Sequence, residues 1–242
     1  MKAIWQGIYN SLREDITNGT YAFQALLPSE AALTERFSCS HNTLRKALAK
    51  LTEEGLVQPI HGKGVRVIYQ PRERALFEVG GIETFAETTA RQGLEHETVV
   101  KTFEYLTVDD ALMRATGYAP GTDVLHIERI RVFGGEGAIR DESYFLASAV
   151  EGLTPRIASQ SIYSYLEGTL GLGIAQSMRV ITVEPATERD YEVLTLPEGC
   201  YLAVVSSRVF SKDGFMFEST MSRHRPDLFA FRDVAHREPA TL

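Results

Sequence analysis

Residues 29–67 read SEAALTERFSCSHNTLRKALAKLTEEGLVQPIHGKGVRV, and this stretch decides the fold. Pro28-Ser29-Glu30 opens a helix: the Ser29 hydroxyl can cap it, and Glu30 suits its positive N-terminal end. Ala32, Leu33 and Phe37 then form an inward face. Ser38-Cys39-Ser40 has room only for a turn, with Cys39 a small apolar filler. Ser40 can cap a second helix whose Leu44, Ala47, Leu48 and Leu51 repeat at three and four, and Gly55 stops it. Residues 56–60 and 65–68 read as strands joined by His61-Gly62-Lys63-Gly64, with glycines where positive φ is needed.

Upstream, Ile4, Ile8, Leu12 and Ile16 recur every four residues, which predicts a helix with one buried face that ends at Asn18-Gly19. Downstream, Gln70-Pro71-Arg72-Glu73-Arg74 is charged and contains proline. The reading is therefore a head over residues 1–70, a linker over 71–76 and a larger α+β domain over 77–242, an α/β two-domain protein. In the larger domain, 124–133 and 202–210 predict strands and 161–170 a helix. A faint duplication runs through it. Thr107-Val108-Asp109-Asp110 leads to Pro120-Gly121 and the strand HIERIRVF; Thr187-Glu188-Arg189-Asp190 leads to Pro197-Glu198-Gly199 and VVSSRVF. The repeat puts Arg131 and Arg208 in equivalent places and implies a pseudo-symmetric sheet with a ligand cleft between its halves.

The composition, 44% hydrophobic and 24% charged, is that of a soluble globular protein. No apolar run approaches the roughly 18 residues of a membrane span, so no membrane partner is expected. The start, MKAIWQGIYNSL, is amphipathic, unlike a secretory leader. Cys39 and Cys200 lie far apart, which points to a reducing cytoplasm rather than a disulfide framework. The net charge of −7 is unevenly spread. Residues 1–70 carry eight Lys/Arg against six Asp/Glu, net +2, whereas residues 71–242 carry 17 against 26, net −9. Phosphate repels the larger part, so the head alone can meet double-stranded DNA. Its small excess leaves specificity to geometry and base contacts.

A short helix, a turn, a second helix and a hairpin are what place one helix in a major groove with a β-wing beside it. The pieces LPSEAAL, CSHNTLRKAL, LTEEGLV and HGKGVRV resemble the winged helix-turn-helix of the GntR family of bacterial transcription regulators. The resemblance implies that the helix from Ser40 is the recognition helix. Ser40, Thr43 and Arg45 would contact the duplex, their hydroxyls and guanidinium on phosphates, with Ser29 at the start of the preceding helix. His61, Gly62 and Lys63 would lie along the minor groove. Family members often carry arginine where this chain has Ala31 and where it has His41. Arginine grips guanine in bidentate fashion and a neutral histidine does not, so the expected operator departs from the family's common one, read by His41 and Asn42.

Residues 77–238 resemble the chorismate-lyase-like (UTRA) effector domain of the HutC branch of that family. The markers are IERIRVF, the SIYSYLE helix and FESTMSRHRPDLFAFRD. With the trehalose-operon repressors the chain shares SIYSYLEGTLGL, VEPAT and SRHRPDLFAFRDVAHR. The resemblance implies a homodimer on a palindromic operator, answering to a sugar phosphate, trehalose 6-phosphate first. Arg129 and Arg131 alternate on one strand and so share a face, and two adjacent guanidiniums repel unless an anion or carboxylate separates them. Ser161 and Tyr163 open a helix, where free N–H groups favour an anion. Thr84 and Phe85 match a loop that closes over the phosphate in the family. Asp141 and Glu218 match carboxylates that accept sugar hydroxyls, and Arg179 and His224 are outer contacts.

Plainer roles compete. Asp141 and Glu218 could simply pair with the arginines, and Ser161 could simply cap its helix. Other ligands, glucosamine 6-phosphate or a small acid such as urocanate, would suit similar cations. An enzyme of lyase type would draw Asp141 and His224 as an acid–base pair. No nucleophile motif, HExxH spacing or P-loop supports that, so no enzyme, cofactor or metal is expected.

Overall fold

The computed structural model of the chain describes residues 4–70, 77–79 and 96–231. The expected linker, residues 71–76, and the loop residues Thr84 and Phe85 lie outside the described residues. The chain divides into two compact units.

In the N-terminal unit, α1 (Ile4–Thr17), α2 (Glu30–Arg36) and α3 (His41–Glu53) precede a hairpin of β1 (Val57–Ile60) and β2 (Gly64–Val67). Ile8, Leu12 and Ile16 of α1 pack with Leu33, Leu44, Ala47, Leu48, Leu51 and Val67 in one core. Two residues expected inside are not. Ile4 is 73% exposed, because the first turn of α1 overruns the core. Ala32 is exposed, since it sits about 100° around α2 from Leu33 and a two-turn helix buries one row. Ser29 caps α2 by accepting from the Ala32 N–H at 3.2 Å, and Ser40 caps α3 by accepting from Thr43 N–H at 3.3 Å. Between them Ser38 takes φ +46°, the left-handed residue that makes so short a turn possible. Gly62 and Gly64 in the hairpin stand at φ +70° and +106°.

The C-terminal unit is built on a six-stranded sheet: β4 (His96–Thr107), β5 (Asp123–Phe133), β6 (Glu136–Leu146), β9 (Met216–His224), β8 (Tyr201–Ser211) and β7 (Ile174–Pro185), in that spatial order and antiparallel throughout. Between β4 and β5 lies α4 (Asp110–Thr116); between β7 and β8 lies α7 (Glu188–Val193). Each half thus runs strand, helix, strand, strand, and the halves meet where β6 pairs β9, with Asp141 opposite Ser222. β3 (Phe77–Val79) pairs in parallel with β10 (Phe229–Phe231) apart from this sheet.

Strand alternation gives the sheet two unlike faces. On one, Leu125, Ile127, Phe145 and Val209 pack against Ala158 of α5 (Pro155–Ala158) and Ile162 and Leu166 of α6 (Ile162–Gly168). On the other, Ile130, Leu202 and Val204 pack with Leu194 just beyond α7. The duplication is real, but the equivalence of Arg131 and Arg208 fails. Arg208 pairs in register with Ser219, which pairs with Tyr144, whereas Arg131 keeps the parity of Arg129 and Asp141. The two arginines therefore point to opposite faces. A one-residue difference in the segment between turn and strand flips every side chain that follows. Arg208 lies instead against Gly117, the left-handed C-cap of α4 at φ +85°, where a Cβ would come within 2.9 Å of its guanidinium.

Candidate functional site

The head presents one polar face. With Leu44, Ala47, Leu48 and Leu51 turned inward, helical periodicity leaves His41, Asn42 and Arg45 exposed on the outer side of α3. Ser40 Oγ and Thr43 Oγ1 lie 2.8 Å apart at the start of the helix, so the cap and the two candidate phosphate donors are one cluster. Glu30, at the start of α2, reaches across: its carboxylate accepts from Arg45 Nε at 3.2 Å and stands 3.7 Å from His41 Nδ1. Sequence reasoning gave Glu30 only a helix-end role. His61, Gly62 and Lys63 form the exposed tip of the hairpin.

The second cluster sits on the α6 face of the sheet. Asp141 on β6 is opposite Arg129 on β5 and opposite Ser222 on β9. Its Oδ2 accepts from Arg131 Nε at 2.8 Å and stands 3.9 Å from Arg129 Nη2, while Oδ1 accepts from the Ser222 hydroxyl at 2.6 Å. One carboxylate thus separates the two guanidiniums. Arg131 also donates to Thr98 Oγ1 at 2.8 Å. Arg129 Nε is buried and has no hydrogen-bond partner among the described residues. Tyr163, on the first turn of α6, donates to Glu218 at 2.5 Å. Ser161 caps α6 by accepting from Ser164 N–H at 3.3 Å.

Burial governs the charge states. It would raise Asp141, but Arg131 and Arg129 beside it, with the Ser222 bond, hold that carboxyl down at about 2. Burial and the neighbouring Arg131 bring Arg129 down to about 10, still a cation at neutral pH. Burial pushes Glu218 up despite Tyr163 and Arg129, and pushes the Tyr163 phenol up as well. It lowers His224 to about 4, so that imidazole is neutral, its ring 5.1 Å from Phe229. Arg179, on β7, lies near enough for its charge to act on Tyr163. The cluster therefore holds two buried cations, the firmly ionised Asp141 carboxylate between them, and Glu218 close enough to act on Arg129.

The structure brings together Arg129, Arg131, Asp141, Tyr163 and Glu218, with His224 and Arg179 at the margin. Thr98, Ser143, Thr220 and Ser222 belong to the same surface and escaped the sequence reading; Ser143 Oγ and Thr220 Oγ1 lie 2.9 Å apart. Two of them, Thr220 and Ser222, were findable. Glu218, Thr220, Ser222 and His224 alternate along β9, a polar period-two row that a buried strand does not need for packing.

These two clusters sit on parts of the chain that match known domains. The domain of bacterial regulatory proteins of the gntR family matches residues 5–67, and the UTRA domain matches residues 91–230. The chain belongs to the gntR family. In common with its UTRA-bearing members, it is a ligand-responsive transcriptional repressor and not an enzyme. The HTH-type transcriptional regulator TreR of Bacillus subtilis (strain 168) is 36% identical over 230 residues, 95% of this chain and 96% of that one. The mannosyl-D-glycerate transport/metabolism system repressor MngR of Escherichia coli (strain K12) is 25% identical over 98% of each chain. Among solved structures, the regulator YydK from Bacillus subtilis shares the fold at TM-score 0.81 with 21% identity, over 97% of this chain and 100% of that one. The effector binding domain of the B. subtilis trehalose repressor matches at TM-score 0.54 and 36% identity, over 59% of this chain and 99% of that one. Among the described residues of the regulator, no helix is long and apolar enough to cross a membrane.

Proposed function

We propose that the regulator is a cytoplasmic homodimer that binds a palindromic operator and is released by a phosphorylated sugar, trehalose 6-phosphate. The observation that carries the ligand class is Arg129. A buried guanidinium whose Nε–H meets no acceptor among the described residues, beside a second guanidinium that takes most of the shared Asp141 carboxylate, has a donor to offer an anion. A phosphate dianion supplies acceptors in the geometry that such forks take. Glu218, Asp141 and Tyr163 supply polar partners for sugar hydroxyls around it, and Thr84 and Phe85 belong to this proposal on the resemblance alone. The choice of trehalose follows the relative named trehalose repressor, 36% identical in its effector domain.

On DNA, His41 and Asn42 read bases, Ser29, Ser40, Thr43 and Arg45 hold phosphates, and His61, Gly62 and Lys63 enter the minor groove. Two heads engage two half-sites at a spacing set by the dimer axis. Ligand favours a form whose heads no longer span both, by no more than its differential affinity for the two forms. Operator binding with and without trehalose 6-phosphate, beside glucosamine 6-phosphate and urocanate, tests this. Trehalose 6-phosphate is expected to weaken operator binding at least tenfold; an unchanged affinity at saturating ligand overturns the reading.

A further inference from the structure

The face of the sheet turned away from Arg129 and Asp141 is covered only in part. α4 has seven residues and α7 six, so each spans about 10 Å. The strands beneath, of 11 residues in β6 and β8, run about 35 Å. Leu112 of α4 packs with Val108, Val124 and Tyr144, and Val193 and Leu194 at the end of α7 pack with Ile130, Leu202 and Val204. Between the two coverings lies a cavity of ≈ 630 Å³, bordered on the α4 side by Ala115 and Thr116. Strand pairing builds its floor as two rows across β6, β9, β8 and β7. The first is Tyr144, Ser219, Arg208 and Met178; the second is Glu142, Met221, Ser206 and Val180. Both rows point to the face opposite Asp141, since they alternate with its own row along each strand.

The two charges on this floor differ in what answers them. Glu142 is engaged: Tyr144 donates to it at 3.1 Å, Arg140 at 3.5 Å, and His126 Nε2 stands 3.3 Å away. Arg208 is not; among the described residues it has neither a hydrogen bond nor an ion pair. Its guanidinium packs on Gly117 so closely that a Cβ there would come within 2.9 Å. Met178, Val180 and Met221 make the rest of the floor apolar. Met178 and Val180, 63% and 64% exposed, leave it open toward β7. We propose that the cavity takes a small apolar carboxylate, its anionic end on Arg208 and its chain along Met221 and Val180. One planar guanidinium matches one carboxylate in a two-bond fork, and Ser206 and Ser219 offer hydroxyls beside it. Glu142, whose neighbours hold its carboxyl below the usual range and so ionised, disfavours a second negative charge. The methionine and valine side chains give nothing to sugar hydroxyls. This ligand therefore differs in class from the sugar phosphate of the other face, and the cavity has the size of a small-molecule site.

Sodium octanoate is the probe, titrated calorimetrically into the full chain, and one saturable site per chain is expected. Arg208→Met is expected to weaken binding roughly tenfold or more. Val180→Trp, which fills the open side from an exposed position, should weaken it as much, both variants keeping the parental circular dichroism spectrum. Octanamide, of the same length without the charge, is expected to bind roughly tenfold more weakly than octanoate. Arg156→Met removes an exposed arginine of α5, on the other face, and is expected to leave octanoate binding at the parental value. None of these changes touches Arg129, Asp141 or Glu218, so the octanoate result stands or falls apart from the response to trehalose 6-phosphate. Absence of saturable binding at millimolar octanoate overturns the proposal, as does parental affinity in either Arg208→Met or Val180→Trp.

Discussion

The two faces of the C-terminal sheet use the same residue types to opposite ends. On the α6 face, Arg129 and Arg131 share Asp141, and Arg129 is left with an unanswered N–H. One residue along the same strands, on the other face, the charges close on one another. Arg140 and Arg223, opposite each other on β6 and β9, each donate an Nε–H to Asp190 at 2.8 Å. Asp190 is fully buried and also accepts from the Thr187 N–H and hydroxyl at 2.8 Å as part of a capping box. Glu128 answers Arg140 and Arg189, and Glu184 answers Arg223. A closed network pins α7 to the sheet; the open one keeps a free donor for the ligand proposed above. Buried charge alone does not mark a binding site, and what separates the faces is whether the donors are satisfied.

Breaking the closed face should cost most. Asp190→Ala leaves two buried guanidiniums without their shared acceptor and uncaps α7. About 3–5 kcal/mol of stability should go, read from urea unfolding of the full chain. A loss under about 1 kcal/mol would mean that water reaches the two arginines and that the network is not closed.

Acid sharpens the comparison next. Burial holds His224 at about 4, below its usual range near 6.5. Between those values the unfolded chain binds a proton that the folded chain excludes, so stability falls as pH drops from 6.5 toward 4. Asp141, held at about 2, adds a loss in the same direction at still lower pH. Glu218 is raised, so it favours the folded state on the acid side and works against His224 in this window. His224→Gln removes the histidine and leaves the other two. Between pH 7 and pH 4.5 the parent should lose about 2.5 kcal/mol more than this variant. Parallel stability curves would show that His224 is not held neutral.

Much of this arrangement was legible in the sequence, and the limits have physical causes. The caps Ser29 and Ser40, the turn between them and the glycine hairpin were readable because each is local chemistry within four residues. The strands around Arg129 and Arg131 were readable from alternation. The flip of Arg208 was not, because parity depends on where a turn releases the chain, and one residue reverses it. The Asp190 network was not, because it joins residues 140, 190 and 223, and distance along the chain hides it. Ile4 and Ala32 kept the apolar pattern without the burial, since a pattern gives a face and not how far the core extends.

Arg129→Met tests the open face with a smaller effect on stability. Replacing a cation that lacks a full set of acceptors by a side chain of similar length should change stability by no more than about 1 kcal/mol, in either direction. The thermal shift given by trehalose 6-phosphate, by contrast, should vanish. A ligand-induced shift of parental size in the variant would remove Arg129 from the site.

The smallest effect on stability belongs to Glu30, where the head repeats the contrast in the open. Its carboxylate holds Arg45 at 3.2 Å and stands 3.7 Å from His41, and all three side chains are substantially exposed, at 40%, 66% and 62%. Exposed pairs of this kind contribute roughly 0–1 kcal/mol, so Glu30→Gln should move the unfolding midpoint little. Its consequence should appear on DNA. Glu30 fixes where two candidate DNA-contacting side chains rest before binding, and preorganised contacts are what operator discrimination depends on. The variant should bind random-sequence DNA at least as tightly as the parent, since a negative charge near phosphate has gone. Its preference for the selected operator over random sequence should fall several-fold. If affinity rises equally for both kinds of DNA, Glu30 acts through charge alone and does not position His41 or Arg45.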